Sequence, residues 1–277
     1  MSKRRHLWGL LALLSALAAS RTAQAYHSDR KRDVAGTAFL LHQREWQIGP
    51  FRADYGALDK LQVGTYVAPW VFVIPNVQLK MLVFQNERWA VSIRPGLYYA
   101  DLSLPRKLYG IGPDNTDLKL WLIPLEAYVS VVLIPRLVLT VGGVYTAATG
   151  SGRYDPEDFD GTAAASNVQV GLSLEWRVNR IVALTLQGRY IAYQDAQGVG
   201  TVSLVVDDAT SADVTAQGTP NAASASNGFS VALSALFSWR YFNLRAGAGY
   251  GNYNVPGLNL VIPKRHPFPV FDMFWRF

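Results

Sequence analysis

The residues best placed to do chemistry are charged side chains that recur in the middle of alternating apolar segments. They lie on the face opposite the apolar residues, and the set is Lys80, Arg94, Lys119, Glu126, Glu175, Arg189 and Arg245. With Arg177, Arg240, Arg276 and Asp272 added, this face carries eight basic and three acidic side chains, a net charge of +5. Around a water-filled lumen with low-dielectric walls, such a field favours anions. We therefore predict that the first set of residues lines a solute path.

The same charges allow a second interpretation, in which they pair with one another and close the lumen. The strand pattern described below predicts a β-barrel of about twelve strands. Barrels of eight strands are filled by side chains and barrels of sixteen or more enclose a channel, so a barrel of twelve strands lies between these limits. The two alternatives are a narrow channel or transporter for small, anionic or amphipathic solutes, and a plugged structural or surface-interaction barrel that acts through long loops. The sequence leaves both open.

Two other features of the sequence are candidates for a catalytic or metal-binding site. His266 lies in the basic run 264–267, and a rim enzyme acting on lipid would need it to meet loop acids, which spacing alone cannot establish. The run Asp155-Pro156-Glu157-Asp158-Phe159-Asp160 holds four carboxylates, but it lacks the ligand order of an EF-hand, so a solvated loop is the simpler interpretation. We predict no catalytic residue, no metal and no cofactor, and expect that the protein is not an enzyme.

The elements that position the charged face show a period of two residues, which is typical of β-strands. Tight turns join four strand pairs within 77–99, 118–145, 168–190 and 231–250. Three N-terminal strands, 35–41, 44–55 and 61–68, and a last strand, 271–277, complete a prediction of twelve strands, with ten as the alternative. In the second pair the apolar phase changes at Ile123-Pro124, which predicts a β-bulge there.

Short turns alternate with long polar connections, which cover about 101–117, 148–167, 195–227 and 256–267. This asymmetry is typical of transmembrane β-barrels and has no reason to occur in a soluble sandwich, whose core would also have to bury the charged face. The sequence therefore predicts an all-β fold, a transmembrane antiparallel up-and-down β-barrel.

Aromatic residues mark both margins of the apolar face. Trp89, Trp176, Trp239 and Trp275 lie near short turns or the end of the chain, and Tyr99, Tyr145, Tyr190 and Tyr250 lie near the long loops. The eight residues from Val182 to Tyr190 correspond to about 20 Å along the membrane normal at a tilt of about 40°, close to the apolar band of about 25 Å. We predict that the two groups form membrane-interface girdles.

The first 25 residues are predicted to form a cleaved signal peptide, because Lys3, Arg4 and Arg5 precede the apolar stretch Leu7 to Ala19 and the small-residue motif 23–25. Residues 26–277 would then form the barrel. Removing the signal lowers the net charge from +6 to +2, which gives no case for nucleic acid. The chain has no cysteine, so disulfides and thiol chemistry are excluded.

The last segment carries a resemblance to a known class. Phe271, Met273, Trp275 and Phe277 alternate up to a terminal phenylalanine, and together with the exported N-terminus and the tight hairpins this is similar to bacterial outer-membrane β-barrel proteins. The segment Tyr55 to Gly64 also resembles a turn of uncharacterised Gram-negative members. The resemblance implies an outer-membrane location, recognition of these four residues by the barrel-assembly machinery, and contact with lipid and lipopolysaccharide. The expectation of a porin-like transport role rests on the charged face. Asp272 departs from the glycine usual in that signal, and the oligomeric state is left open.

Overall fold

The computed structural model describes residues 36–101, 103, 117–154, 159–207, 210–218, 228–255 and 260–277. Thirteen strands and one short helix follow in the order β1 Trp46–Ile48, β2 Arg52–Leu58, β3 Leu61–Tyr66, α1 Val67–Val71, β4 Asn76–Gln85, β5 Trp89–Asp101, β6 Asp117–Ile134, β7 Leu137–Tyr154, β8 Phe159–Arg177, β9 Val182–Asp207, β10 Thr210–Gly218, β11 Gly228–Ser238, β12 Phe242–Val255 and β13 Leu260–Arg276.

The sheet closes into a barrel of twelve antiparallel strands, as predicted. From β1 to β9 each strand pairs with the next strand in the chain, and so do β11 with β12 and β12 with β13. The first part of β9 pairs with β11, and β13 pairs with β1. The thirteenth strand, β10, pairs with the last part of β9 and with no other described strand. The two strands form a hairpin that extends beyond the barrel. This arrangement confirms the all-β, up-and-down architecture.

The tight turns that follow β2, β4, β6, β8 and β11 lie at one end of the barrel, called here the turn end, and the opposite end is called the loop end. The β1–β2 turn, Gly49 to Phe51, faces the loop end. Two of the turns use the same device: the side-chain Oδ1 of Asn86 accepts hydrogen bonds from the backbone N–H groups of Arg88 and Trp89, and Asn179 does the same for Ile181 and Val182. Asparagine favours such turns because its side chain replaces a backbone acceptor.

The outer face of the wall is apolar, with aromatic side chains at both ends. Trp89, Trp176, Trp239 and Trp275 are exposed on it near the turn end, and Tyr145, Tyr190 and Tyr250 are exposed near the loop end. Tyr99 is half-buried because its ring packs on Trp121, with 4.6 Å between ring centroids. Among the described residues no helix has the length and apolarity needed to cross a membrane.

The chain closes on itself through Phe277, which lies against the beginning of β1. The backbone N–H of Trp46 donates to the Phe277 carbonyl at 2.8 Å, and the N–H of Phe277 donates back to the Trp46 carbonyl at 3.1 Å. The last residue is thus hydrogen-bonded to the first strand, as the alternating pattern of 271–277 indicated.

The count of twelve is correct, but two N-terminal assignments are wrong. Residues 36–41 form no strand, and the segment predicted as one strand over 44–55 is two strands, β1 and β2, separated by Gly49, Pro50 and Phe51. The reason is burial: 37–41 are all enclosed, whereas a wall strand would expose alternate residues to the outside.

The predicted β-bulge at Ile123-Pro124 is also absent. The β6–β7 ladder runs in constant register from Asp117↔Arg153 to Val132↔Val138. Leu122 is therefore buried inside the barrel, and Lys119 lies on the outer face, where it is exposed. The placement of Lys119 in the lumen is wrong because it followed from the bulge.

Candidate functional site

A segment of five residues, Thr37 to Leu41, occupies the lumen near the turn end, and we call it the plug. All five residues are buried, with Ala38 0 % and Phe39 2 % exposed. Ala38 and Phe39 pack against wall residues that flank two of the tight turns, Ala90, Val132 and Val138. The plug thus fills the turn end through an apolar contact, inside a lumen that also holds many buried polar side chains.

Side chains of the wall hold the plug, and no strand ladder includes it. The backbone N–H of Ala38 donates to Ser130 Oγ at 2.7 Å, and the N–H of Leu41 donates to Gln62 Oε1 at 3.1 Å. Lys80 donates from Nζ to the Phe39 carbonyl. Of the residues predicted to line a solute path, Lys80 is therefore an anchor of the plug.

The chain leaves the plug through a tight turn that leads into β1. The backbone N–H of His42 donates to Glu45 Oε2 at 3.0 Å, and Arg44 has a positive φ of 65°. Gly56 of β2 lies against the His42 carbonyl so closely that a Cβ atom there would collide with it. Glycine at position 56 lets the wall approach the backbone of the turn.

A second cluster braces the lumen around Arg94. Its guanidinium donates to Gln78 Oε1, lies 3.5 Å from the Glu126 carboxylate and faces the Tyr66 ring, with 5.5 Å from Cζ to the centroid. Gln78 in turn donates to the Tyr98 hydroxyl, and Tyr128 donates to Glu126. Arg94, Gln78, Glu126 and Tyr98 are buried, so this cluster links β4, β5 and β6 rather than facing an open channel.

The other lumen charges also lie beside partners. Arg177 Nε lies 2.7 Å from Glu175 Oε1, Arg52 pairs with Asp54, and Arg276 Nε donates to Gln47 Oε1 at 2.7 Å. Arg245 and Asp272 are directly opposite each other in the β12–β13 ladder. Burying charges is tolerated when they are paired and hydrogen-bonded in this way.

Between the plug and the loop end lies a cavity of about 270 Å³. Its described lining includes the polar side chains of Tyr128, Thr140, Ser173, Gln187, Arg189 and Ser230, and apolar groups of β13 from Phe268 to Phe271. Arg189 is the one charged residue in that lining. Small residues in the wall, such as Gly142, Gly171 and Ala232, leave the space that the cavity fills.

The wall is thin beside the cavity. An apolar groove on the outer surface shares Gly171 and Gly188 with the cavity lining, and its other walls include Val141, Tyr190 and Phe229. The outer groove and the inner cavity are therefore separated at this place by little more than backbone.

The structure places the predicted site residues in three groups. Lys80, Arg94, Glu126, Glu175 and Arg245 are buried in the lumen, Arg189 lines the cavity, and Lys119 is outside. Sequence reasoning missed the plug and the uncharged partners Gln78, Tyr98 and Tyr128. Their position on the charged side of the alternation is the signal that indicates them, although they carry no charge themselves.

The structure describes only part of the candidates for catalysis or metal binding. His266 lies on β13 opposite Gly251, while 155–158, which hold three of the four carboxylates of the acidic run, are outside the described residues. Within the described part of the chain, no cluster of His, Asp or Glu side chains has the arrangement of a metal site. The predicted signal peptide, 1–25, also lies outside the described residues.

Comparisons with known proteins connect this barrel with solved structures only. No protein-family model matches the chain, and no curated protein matches it. In-vitro folded OmpT, an outer membrane protein of Vibrio cholerae in its trimer form, matches with a TM-score of 0.40 and 14 % identity over 83 % of this chain. The match covers 64 % of that protein, less than two thirds of its length.

Two further matches have similar extent. The toluene transporter TodX of Pseudomonas putida has a TM-score of 0.41 and 10 % identity, over 84 % of this chain and 76 % of its own. The outer membrane protease OmpT of Escherichia coli has a TM-score of 0.34 and 9 % identity, over 84 % and 92 %. Identities this low concern the fold alone, which is that of outer-membrane β-barrel proteins.

The presence of the protease corrects one prediction. The expectation that this protein is not an enzyme is wrong as an exclusion, because a protease is among the outer-membrane proteins matched by this chain. The likeness assigns no activity to this chain, since the proteins with this fold include a transporter as well as a protease.

Proposed function

We propose that this protein, an outer-membrane β-barrel, is a gated transporter for small amphipathic solutes that carry an anionic group. The observation that supports the proposal is a partly polar cavity of about 270 Å³ in the lumen, lying above a plug that is held by side chains of the wall and belongs to no strand ladder. A solute that enters from the loop end reaches the cavity, and displacement of the plug gives it a way out at the turn end.

The location of the protein belongs to the same proposal. Residues 1–25 direct export and are removed, and the alternating residues 271–277 serve the barrel-assembly machinery. The aromatic girdles then lie at the two surfaces of the outer membrane, in contact with lipid and lipopolysaccharide.

The energetics of the plug favour a closed resting state. Moving Phe39, Leu40 and Leu41 from their buried positions into water costs about 2 kcal/mol each, or about 6 kcal/mol together. A free-energy difference of this size leaves the open state populated in about one molecule in 10⁴. Transport therefore requires a solute or partner that binds the open state better than the closed one.

The charge preference of the proposed transporter depends on Arg189. It is the charged residue of the cavity lining, while Arg94 is enclosed among Gln78, Glu126 and Tyr66. A solute anion in the cavity can meet the guanidinium of Arg189, and its apolar part can lie against Phe268 and Val270. The predicted solute path is thus reduced from seven residues to one principal contact.

One feature favours a second candidate function. The β9–β10 hairpin extends beyond the barrel at the loop end, which suits a surface-interaction protein whose lumen stays plugged. In that case the plug never moves, and the cavity is a packing defect rather than a binding site.

A reversible cross-link between plug and wall distinguishes the two candidates. The chain has no cysteine, so Ala38→Cys with Ser130→Cys introduces a single possible disulfide, between residues already joined by a 2.7 Å hydrogen bond. The mature chain in liposomes is tested for uptake of benzenesulfonate, a permanent anion, and of phenyltrimethylammonium, a cation of similar size. We expect oxidation to lower benzenesulfonate uptake at least tenfold and reduction to restore it.

The matched control is the pair Val91→Cys and Val129→Cys, which are opposite each other on the outer face of β5 and β6. Its disulfide should leave uptake unchanged because it fixes only the wall. Uptake that continues with the plug cross-linked would show that solutes do not pass it and would refute the gate. Absence of uptake in every reduced protein would refute transport and support the plugged barrel.

A further inference from the structure

Three neighbouring strands are too short to complete the barrel wall across a membrane. A transmembrane strand needs about 9–11 residues. β1 has 3 residues, β2 has 7 and β3 has 6, whereas β12 and β13 beside them have 14 and 17. At about 3.3 Å per residue, β1 covers about 10 Å of an apolar band of about 25 Å. In the part of the chain that the structure describes, the wall is therefore incomplete next to β13.

The ladder between β13 and β1 locates the gap. It includes Arg276 and Trp275, and no described strand continues it toward the loop end. Pro267, further along β13, is opposite Tyr250 of the loop-end aromatic band, while Trp275 belongs to the turn-end band. The incomplete part of the wall thus lies between the two bands, at the depth of the hydrocarbon layer.

Two prolines fit this unpaired edge. The N–H of Phe277 points to β1 and that of Arg276 points to β12, so odd-numbered residues of the regular β13 ladder direct their N–H groups to the β1 side. Pro267 and Pro269 are odd-numbered and have no N–H, so neither leaves a donor directed into the gap. Prolines also disfavour the pairing of a further strand at an edge, so these positions of β13 are poorly suited to another polypeptide strand.

Apolar side chains are exposed on α1, which contacts the β1–β2 turn through a hydrogen bond from the Val67 N–H to the Phe51 carbonyl. The β1–β2 turn, Gly49 to Phe51, lies below the gap, and α1 continues the wall from β3. Trp70, Val71 and Phe72 at the end of α1 are 50–66 % exposed. We call the space beside β13 and beyond the β1–β2 turn, where no described strand pairs with β13, the side gap.

The side gap adjoins the cavity because they share β13. Phe268 to Phe271 belong to the cavity lining, and this part of β13 lies beyond the end of its ladder with β1. Irregular backbone is tolerated at membrane depth where it borders a water-containing cavity rather than lipid alone. The position of the gap beside the cavity meets this condition.

We propose that the side gap connects the cavity to the bilayer and admits a hydrocarbon chain, so that the solutes of this protein are amphipaths whose tail lies in the membrane while the anionic group is at Arg189. The proposal rests on the proposed function for the identity of the cavity as a solute site. The route through the wall is independent of the plug.

The experiment measures whether membrane lipid reaches a lumen-facing probe. Val270 faces the lumen on β13, so Val270→Cys in the mature chain is labelled with a small bimane fluorophore and placed in vesicles whose phospholipids carry doxyl groups on their acyl chains. Phe271→Cys, which faces outward, gives the quenching expected for full lipid contact, and Ser173→Cys on β8 gives that of the far side of the cavity. We expect the probe at Val270 to show at least half the quenching at Phe271 and the probe at Ser173 at most one fifth.

Quenching at Val270 no greater than at Ser173 would show that the wall is closed to lipid and would overturn the proposal. Heat-dependent migration in gels identifies the folded barrels, and Phe268→Cys, the preceding lumen-facing position on β13, replaces Val270→Cys if that variant does not fold. The quenching measurement does not depend on solute uptake. A negative quenching result would therefore not contradict the gated transporter, and a negative cross-link result would not contradict the side gap.

Discussion

At the scale of single residues, charge alone does not determine what an inward-facing arginine does. Arg94 and Arg189 occupy equivalent sides of their strands, yet Arg94 is enclosed by Gln78 and Glu126 while Arg189 borders the cavity. Removing one member of a buried pair leaves an uncompensated charge, so Arg94 stabilises the barrel. Arg189 is the residue on which solute charge can act.

Replacing Arg189 by glutamine should lower benzenesulfonate uptake about tenfold. A hydrogen bond to a charged group contributes about 1.5–3 kcal/mol, and about 1.4 kcal/mol corresponds to a factor of ten in rate. The control is Lys119→Gln, which removes a positive charge from the outer face and should leave uptake unchanged. An equal loss in both variants would mean that net charge acts at a distance and that Arg189 is not a contact.

Residue positions could be predicted from the sequence wherever the alternation was continuous. It identified the lumen side for Lys80, Arg94 and Glu175, whose strands have one apolar phase. It failed for Lys119 because leucines occur on both faces of β6, and Leu122 is buried in the lumen where a lipid-facing residue was expected. In a lumen that is packed rather than open, an apolar side chain does not identify the lipid side.

At the scale of elements, the N-terminal segment shows the same limit more strongly. Residues 35–41 look like a strand because they combine small and apolar residues in a short run, but 37–41 are enclosed on all sides. Only the three-dimensional position of Ser130, Gln62 and Lys80, which lie 21 to 92 residues away in the chain, creates the plug. Contacts at such separations leave no local periodicity.

The side gap makes a prediction about the stability of β13. Pro269→Ala introduces an N–H group directed into the gap, where lipid offers no acceptor, so it should lower the free energy of unfolding by about 1–3 kcal/mol, measured by urea unfolding in lipid vesicles. Pro124→Ala is the matched control. By the same alternation, its new N–H faces Gly96 of the paired strand β5, and it has the same effect on unfolded-chain entropy.

The difference in unfolding free energy between the Pro269→Ala and Pro124→Ala variants reports on the surroundings of the new N–H group at the edge of β13. If Pro269→Ala were as stable as Pro124→Ala, an acceptor would have to lie beside β13 at that position. A covered edge of that kind would contradict the side gap.

At the scale of the whole molecule, the sequence determined the class of fold more reliably than its details. Repeated alternation with short and long connections predicted a closed barrel, and the count of twelve was reached although one predicted strand is the plug and another is two strands. The prediction of a closed barrel survives these two errors because closure depends on the number of strands in the wall and not on their exact bounds. The function depends on what fills the lumen, and that follows from long-range packing.

The β9–β10 hairpin provides the last prediction, because it belongs to the sheet but not to the closed wall. Replacing 198–218 by a short Gly-Ser linker removes pairs that lie beyond the last contact of β9 with β11, at Ile191↔Gly228. We expect the temperature at which the folded band disappears in gels, and benzenesulfonate uptake, to be unchanged. The contrasting variant is Thr185→Pro in the same strand, where β8 and β11 pair on both sides and a missing N–H must break a ladder. Loss of the folded band on removal of the hairpin would show that the extension stabilises the wall, and the barrel and its projecting hairpin could then not be treated as separate units.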